Sequence, residues 1–238
     1  MSLEFDAVAD YARLTPASAV GNTYAASMVD WFRLQETTAG RIIASLSRAN
    51  GTGALQVVNS TTLRSWTGGA ERATWTVAQN TWYMVAISND AGTGNVIMRL
   101  FDTSGSEIAV ASGSNTWSGG NYAYIGSSVL GRSSVWEDTA RCCHRYWRVW
   151  TRVLSQAQFA DEAAMTPASG SPAASTTNLR GSWPLPDGTT TTDWSGNSVA
   201  ISISGGSTSA DEPTIGGGGG VVYGVPLLQP RPNVLLRM

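Results

Sequence analysis

Residues 1–165 are a succession of short apolar runs, each broken by Gly, Asn, Asp or Ser. Runs this short cannot supply the long amphipathic stripes of a helical protein, so they argue for antiparallel strands joined by turns. Residues 24–34, 41–46 and 54–58 follow one another at hairpin spacing, and Asn50 with Gly51 is a tight-turn signal. Residues 81–88 and 95–102 are apolar at nearly every position, which predicts strands buried on both faces near the middle of a two-sheet sandwich. Asn89, Asp90, Gly92, Thr93 and Gly94 supply the turn between them. Leu3 and Phe5, then Tyr11 and Arg13, mark an opening strand pair. A chain of 238 residues can bury a sizeable all-β core, and only 13% of it is charged.

One helix interrupts the pattern. Ser155 is a good N-cap, Gln158 completes a capping box, and Leu154 can staple to Phe159. Thr166 and Pro167 stop the run, and a Ser/Ala/Pro-rich loop follows near 167–177. Strand-like segments return at 178–183 and 199–204, separated by turn sequences around Asp187 and Gly196. The expected fold is therefore all-β, a two-sheet antiparallel sandwich with one short helix, over residues 1–215.

Residues 216–238 read differently. Five glycines, Gly216 to Gly220, form a flexible tether. Beyond it Val221, Val222, Tyr223, Val225, Leu227, Leu228, Val234, Leu235 and Leu236 make an apolar arm. Pro226, Pro230 and Pro232 favour extended backbone over helix. An extended apolar arm on a leash calls for burial, either against another subunit or as a last strand folded back on its own domain.

Net charge is −2 with no basic or acidic block, so no nucleic-acid footprint is present, and no run is long enough to cross a membrane. The N-terminal residues lack the basic start and apolar segment of a signal peptide, which predicts synthesis in a cytoplasm. The glycine run lacks the Lys-Ser/Thr of a phosphate loop. The two cysteines, Cys142 and Cys143, are adjacent. In a strand they point to opposite faces, giving one buried and one exposed thiol, or an intersubunit disulfide in an oxidising exterior. His144, the single histidine, has no sequence partner set up for nucleophilic chemistry.

Several segments together resemble laminin-G-like domains of the concanavalin A-like lectin/glucanase jelly rolls, over about residues 3–205. Residues 80–87 followed by 96–105 are similar to the central strand pair of that family, and residues 146–155 to its late strand running into a short helix. Leu3, Glu4, Phe5, Asp6, Asp10 and Tyr11 resemble its FDGxDDY opening, with Ala7 and Ala9 replacing Gly and Asp. Residues 179–188 and 193–197 resemble an element that usually precedes the opening strand, which implies circular permutation. The resemblance implies a jelly roll far more strongly than an activity.

The glucanase branch of that family carries Glu-x-Asp-x-x-Glu on one strand. Here Glu4 and Asp6 have no third carboxylate in register, so no catalytic residues are assigned. Glu137 with Asp138, Asp161 with Glu162, and Asp211 with Glu212 read as solvated turn charges. The resemblance also implies a structural calcium as an open possibility, with Asp30, Asp90 and Asp102 as conceivable ligands, although no spacing marks a metal site and no cofactor is expected. Among ten tryptophans, Trp82, Trp147, Trp150 and Trp183 lie in strand patterns and belong to the core. Trp66, Trp117 and Trp136 fall in Ser/Gly-rich stretches and are the candidates for stacking on glycans.

The resulting expectation is a non-enzymatic structural protein that joins its own copies or other virion proteins through the arm, as a tailed-phage decoration, collar or fibre component on the virion exterior. The alternative is a carbohydrate-binding module on a phage fibre that engages host glycans.

Overall fold

Strand β12 (Cys142–Trp150) has all nine residues buried, and the first sheet is assembled around it. The computed structural model describes residues 1–6, 10–14, 25–35, 38–48, 51–67, 70–90, 93–114, 121–126, 140–164, 176–187, 189, 191–213 and 215. In the first sheet the order is β10 (Glu107–Ser114), β9 (Asn95–Phe101), β8 (Trp82–Asn89), β3 (Ala26–Leu34), β12, β1 (Ser2–Phe5) and β15 (Ser207–Ser209). β13 (Leu179–Trp183) shares the β1 edge of β12: β1 pairs with residues 142–144 and β13 with residues 147–150. The second sheet runs β14 (Ile201–Ser204), β2 (Tyr11–Leu14), β11 (Asn121–Gly126), β4 (Ile42–Arg48), β5 (Gly51–Asn59), β6 (Thr62–Thr67) and β7 (Ala70–Thr76). All pairings are antiparallel, and the architecture is the jelly-roll sandwich that the apolar runs predict.

The opening strands depart from expectation. β1 lies in the first sheet and β2 in the second, so they are not partners; the chain changes sheet between Phe5 and Tyr11. β8 is buried at every position, as its sequence predicts, whereas β9 alternates and leaves Ile97 and Arg99 half-buried on its outer face.

The central core lies between the sheets. Met28, Phe32, Val85, Ile87, Trp147 and Val149 from the first sheet meet Leu14, Ile43, Leu46, Leu55, Leu63 and Trp75 from the second. Trp147 and Trp183 are cross-strand partners with ring centroids 4.9 Å apart. The Trp183 ring lies over Gly181, where a Cβ would collide with it, so a strand glycine is required there.

A second apolar layer covers the central strands β3, β8 and β12 on the outer face of the first sheet. Helix α1 (Gln156–Ala164) lays Phe159 and Ala163 among Val29, Trp31, Met84, Ala86 and Trp150, with Ile215 in the same cluster. The helix begins where the capping box predicts: Ser155 N donates to Gln158 Oε1 at 3.0 Å, and Gln158 N donates to Ser155 Oγ at 3.2 Å. Leu154 joins Phe159 in this layer. Arg148 points into it from β12, donating to Glu162 Oε2 at 2.5 Å and to Ser182 Oγ at 3.1 Å. Glu162 is therefore a buried counter-charge and not a solvated turn residue. The side chains of Asp211 and Glu212 are solvent-exposed as expected, but each is also paired: Arg33 with Asp211, and Arg145 with Glu212 at 2.7 Å.

Removing one partner of a buried ion pair leaves the other charged and dry. Glu162→Ala should therefore cost about 3–5 kcal/mol in urea unfolding, and the double replacement Arg148→Met with Glu162→Leu should recover most of it. A loss below about 1 kcal/mol for the single variant would show that the pair does not hold helix to sheet.

Candidate functional site

The helix layer covers β3, β8 and β12 on the outer face of the first sheet, and on the outer face of the second the strands β6 and β7 alternate buried and solvent-facing residues. On β6, Leu63 and Ser65 are buried while Thr62, Arg64 and Trp66 are half-buried; on β7, Trp75 is buried while Thr74 and Thr76 are exposed. Arg64 and Trp66 are two residues apart on one strand and therefore share a face. The Arg64 guanidinium sits 5.1 Å from the Trp66 ring centroid. Its Nε donates to Gln56 Oε1 at 2.7 Å and its Nη1 to Glu71 Oε2 at 3.3 Å. Gln56 is itself buried and donates through Nε2 to Gly40 O at 3.3 Å. A half-exposed indole is thus held by a stacked cation, and that cation by an amide and a carboxylate from neighbouring strands.

Trp66, a sequence candidate for glycan stacking, lies on strand β6 and is half-buried. Trp117, Trp136 and the arm residues Val221, Val222, Tyr223, Val225, Leu227, Leu228, Val234, Leu235 and Leu236 lie outside the described residues, as do Glu137 and Asp138. Both cysteines are free and buried, Cys142 in the central core and Cys143 in the helix-covered layer. This corrects the expectation of one exposed thiol and of an intersubunit disulfide, because a bridge needs a sulfur at the surface.

The three aspartates considered for calcium do not converge. Asp30 points into the core, where its Oδ2 lies 2.8 Å from His144 Nδ1 with both side chains fully buried. Burial raises the Asp30 pKa, against the lowering influence of His144. Asp90 and Asp102 follow opposite ends of the β8–β9 hairpin. Asp90 accepts from Thr93 Oγ1 at 2.8 Å; Asp102 Oδ1 accepts from Ser104 N, Ser104 Oγ and Ser106 N. The three carboxylates thus belong to three separate places in the fold. Among the described residues no group of three or more His, Cys, Asp or Glu could hold a metal. Glu4 lies 3.7 Å from Arg141, and the Asp6 backbone N–H donates to Asp10 Oδ2 at 3.1 Å.

Sequence reasoning did not single out Trp194. It is 54% exposed, whereas the other described tryptophans are buried or, for Trp66, half-buried. Its loop is organised by Asp193, whose Oδ1 accepts from Ser182 N at 2.9 Å and Ser195 N at 2.8 Å. Oδ2 accepts from Ser195 Oγ at 2.7 Å and Val199 N at 3.0 Å. Burial alone would raise the Asp193 pKa, but these donors together hold it below the usual carboxylate value. The sequence signal was the Asp193, Ser195, Gly196, Asn197 turn, which says that the loop is tight but not which way its tryptophan faces.

No protein-family model matches this chain, and no curated protein matches it in sequence. Solved structures match it in fold. A heptameric SAP-like pentraxin from Limulus polyphemus aligns over 87% of this chain and 94% of its own, at 12% identity and TM-score 0.54. A Bacteroides ovatus protein named for carbohydrate binding aligns over 87% of this chain and 59% of its own, at 16% identity and TM-score 0.58. A Trypanosoma rangeli sialidase in complex with 2,3-difluoro-KDN aligns over 67% of this chain but 26% of its own, at 14% identity and TM-score 0.50. At these identities the likeness establishes the jelly roll.

Because Asp193 binds its proton more weakly folded than unfolded, its stabilising effect is complete above the ordinary Asp pKa of about 3.9. It disappears as pH falls through the lower folded value. Asp193→Asn should therefore lower the urea midpoint at pH 7, with the deficit shrinking at pH 3. An equal deficit at both pH values would mean that the charge is not what holds the loop.

Proposed function

We propose that this domain is a non-catalytic carbohydrate-binding module that takes its ligand on the outer face of the second sheet. The observation that carries this reading is the Arg64–Trp66 pair on that polar face. An indole offers a flat apolar surface to the C–H face of a sugar ring. Arg64 and Glu71, with side chains 27% and 43% exposed, supply a donor group and an acceptor group beside it for hydroxyls. The name of the Bacteroides ovatus protein supports the same reading. Among the described residues Glu71 is the carboxylate bonded at this pair, and a lone carboxylate supports binding over hydrolysis, which ordinarily uses two carboxyl groups flanking the bond.

Printed arrays of neutral, sialylated and uronate-bearing oligosaccharides should give hits with the full chain, followed by calorimetry on the strongest. Trp66→Ala should weaken binding about thirtyfold, as loss of a central tryptophan contact does elsewhere, and Arg64→Ala should weaken it as well. Absence of any glycan hit, or unchanged binding by both variants, would overturn the assignment.

A separate observation favours a second role, in assembly. The last described segment is firmly rooted: β15 pairs with β1, Asp211 and Glu212 are held by Arg33 and Arg145, and Ile215 is buried in the outer apolar layer. Residues 216–238 thus leave from a fixed point on the first sheet, which suits a connector to neighbouring copies. The virion setting expected from the sequence has no counterpart in the three proteins compared. Light scattering should show a smaller oligomer after deletion of residues 216–238, with the folded core intact by circular dichroism. Equal masses for the full and truncated chains would rule the connector out.

A further inference from the structure

We propose that Trp194 is a second sugar-stacking platform, separate from the Trp66 face; this rests on the glycan-binding reading above. Trp194 is 54% exposed, so a large part of the indole is in contact with solvent. Isolated apolar residues at a surface are ordinary, and exposure alone would carry little. What distinguishes Trp194 is the rigidity of its support. Its own N–H donates to Ser182 O at 2.7 Å, tying it to β13. The residue before it binds four donors, and Asn197 Nδ2 donates to Leu179 O at 2.7 Å and to Arg180 O at 3.4 Å. A side chain presented on a loop already ordered loses little further entropy on binding.

The polar groups of Asp193 and Ser195 are engaged within the fold as well. All four Asp193 contacts are to its own neighbourhood, and Ser195 Oγ both donates to Asp193 and accepts from Asn197 N at 3.2 Å. The indole is the large apolar group this loop offers to a ligand: a flat apolar face with one N–H donor at its edge. A pyranose ring, apolar on its C–H face and hydroxylated at its rim, matches that surface. Gly196 has φ +83, and a Cβ at that position would meet no atom within 4 Å, so the glycine answers to backbone conformation and not to crowding.

Trp194 is bonded to a strand of the first sheet, whereas Trp66 lies on β6 of the second, next to the edge strand β7. β6 is five strands from β14, the strand that follows the Trp194 loop, or about 24 Å at ~4.8 Å per strand. One short oligosaccharide does not bridge such platforms, but a polysaccharide carries many copies of its epitope. Two sites on one module then raise apparent affinity by avidity without any new contact.

The test compares wild type, Trp66→Ala, Trp194→Ala and Trp194→Phe, using the strongest array oligosaccharide and the polysaccharide that contains it. The expected results are two binding events per chain for wild type, one for each alanine variant, and retained binding for Trp194→Phe. Polysaccharide affinity should fall about a hundredfold for Trp194→Ala, the lower end of avidity gains at favourable geometry. Because the ring is exposed, thermal stability should not change, which separates lost binding from lost folding. If Trp194→Ala matches wild type while Trp66→Ala fails, the second platform is refuted and the Trp66 site stands. If Trp194→Ala fails while Trp66→Ala binds normally, the second-sheet site is refuted and the Trp194 platform stands. If wild type binds no glycan, both are refuted.

Discussion

A strand buried on both faces must be covered twice, and β12 imposes that condition on the whole molecule. Its inner residues, Cys142, Trp147 and Val149, face the second sheet, and its outer residues, Cys143, Tyr146 and Trp150, need a separate cover. Arg148 makes the cover specific. A guanidinium on the outer side of such a strand has no water to turn to, so a carboxylate must be brought to it, and Glu162 on α1 is that carboxylate at 2.5 Å. Apolar contact between Phe159 and the sheet would allow the helix to slide; the ion pair, with Ser182 as third partner, selects one placement. The centre of the first sheet is covered in this way, while β6 and β7 of the second keep a solvent-facing side.

This asymmetry explains which parts of the fold were legible in the chain. β8 and α1 announce themselves through local signals: an unbroken apolar run and a capping box with its staple. β6 and β7 do not, because strands with one face in solvent are written in Thr, Arg, Ser and Glu, which composition assigns to loops. The Trp66 face was therefore half-visible. Arg64 and Trp66 share a strand face by spacing alone, but Gln56 and Glu71 reach them through cross-strand pairings that depend on register. The burial of Glu162, and the partners of Asp211 and Glu212, were hidden for the same reason in reverse. Glu162, Asp211 and Glu212 sit in sequences that look like solvated turns, and their partners Arg148, Arg33 and Arg145 are distant in the chain. His144 and Asp30 are likewise 114 residues apart, so a buried pair looked like two unrelated polar residues.

The C-terminal third of the described chain is wrapped around the N-terminal strands. Leu3 N donates to Leu185 O at 3.0 Å, β14 pairs with β2, and β15 pairs with β1. The Met1 amino group lies 3.3 Å from Glu212. An element that the family resemblance places before the opening strand thus sits beside that strand in space although it follows it in sequence. Joining or cutting a chain where its segments already touch changes few contacts, which makes a permuted order compatible with the same sandwich.

That wrapping also decides how Trp194 is held. Asp193 accepts from Ser182 in β13 of the first sheet and from Val199, which leads into β14 of the second. One carboxylate therefore ties together the two sheets at the point where the chain crosses between them. The loop between those bonds cannot swing without loosening a strand on either side, so its conformation is as stable as the sandwich edge itself. Trp194 is placed at a surface position whose rigidity is borrowed from the fold. The Trp66 ring obtains its rigidity differently, from a strand beneath it and a cation stacked on it. Both arrangements satisfy one requirement for weak ligands: the aromatic surface is ordered before the ligand arrives, so little of a small binding energy is spent on ordering it.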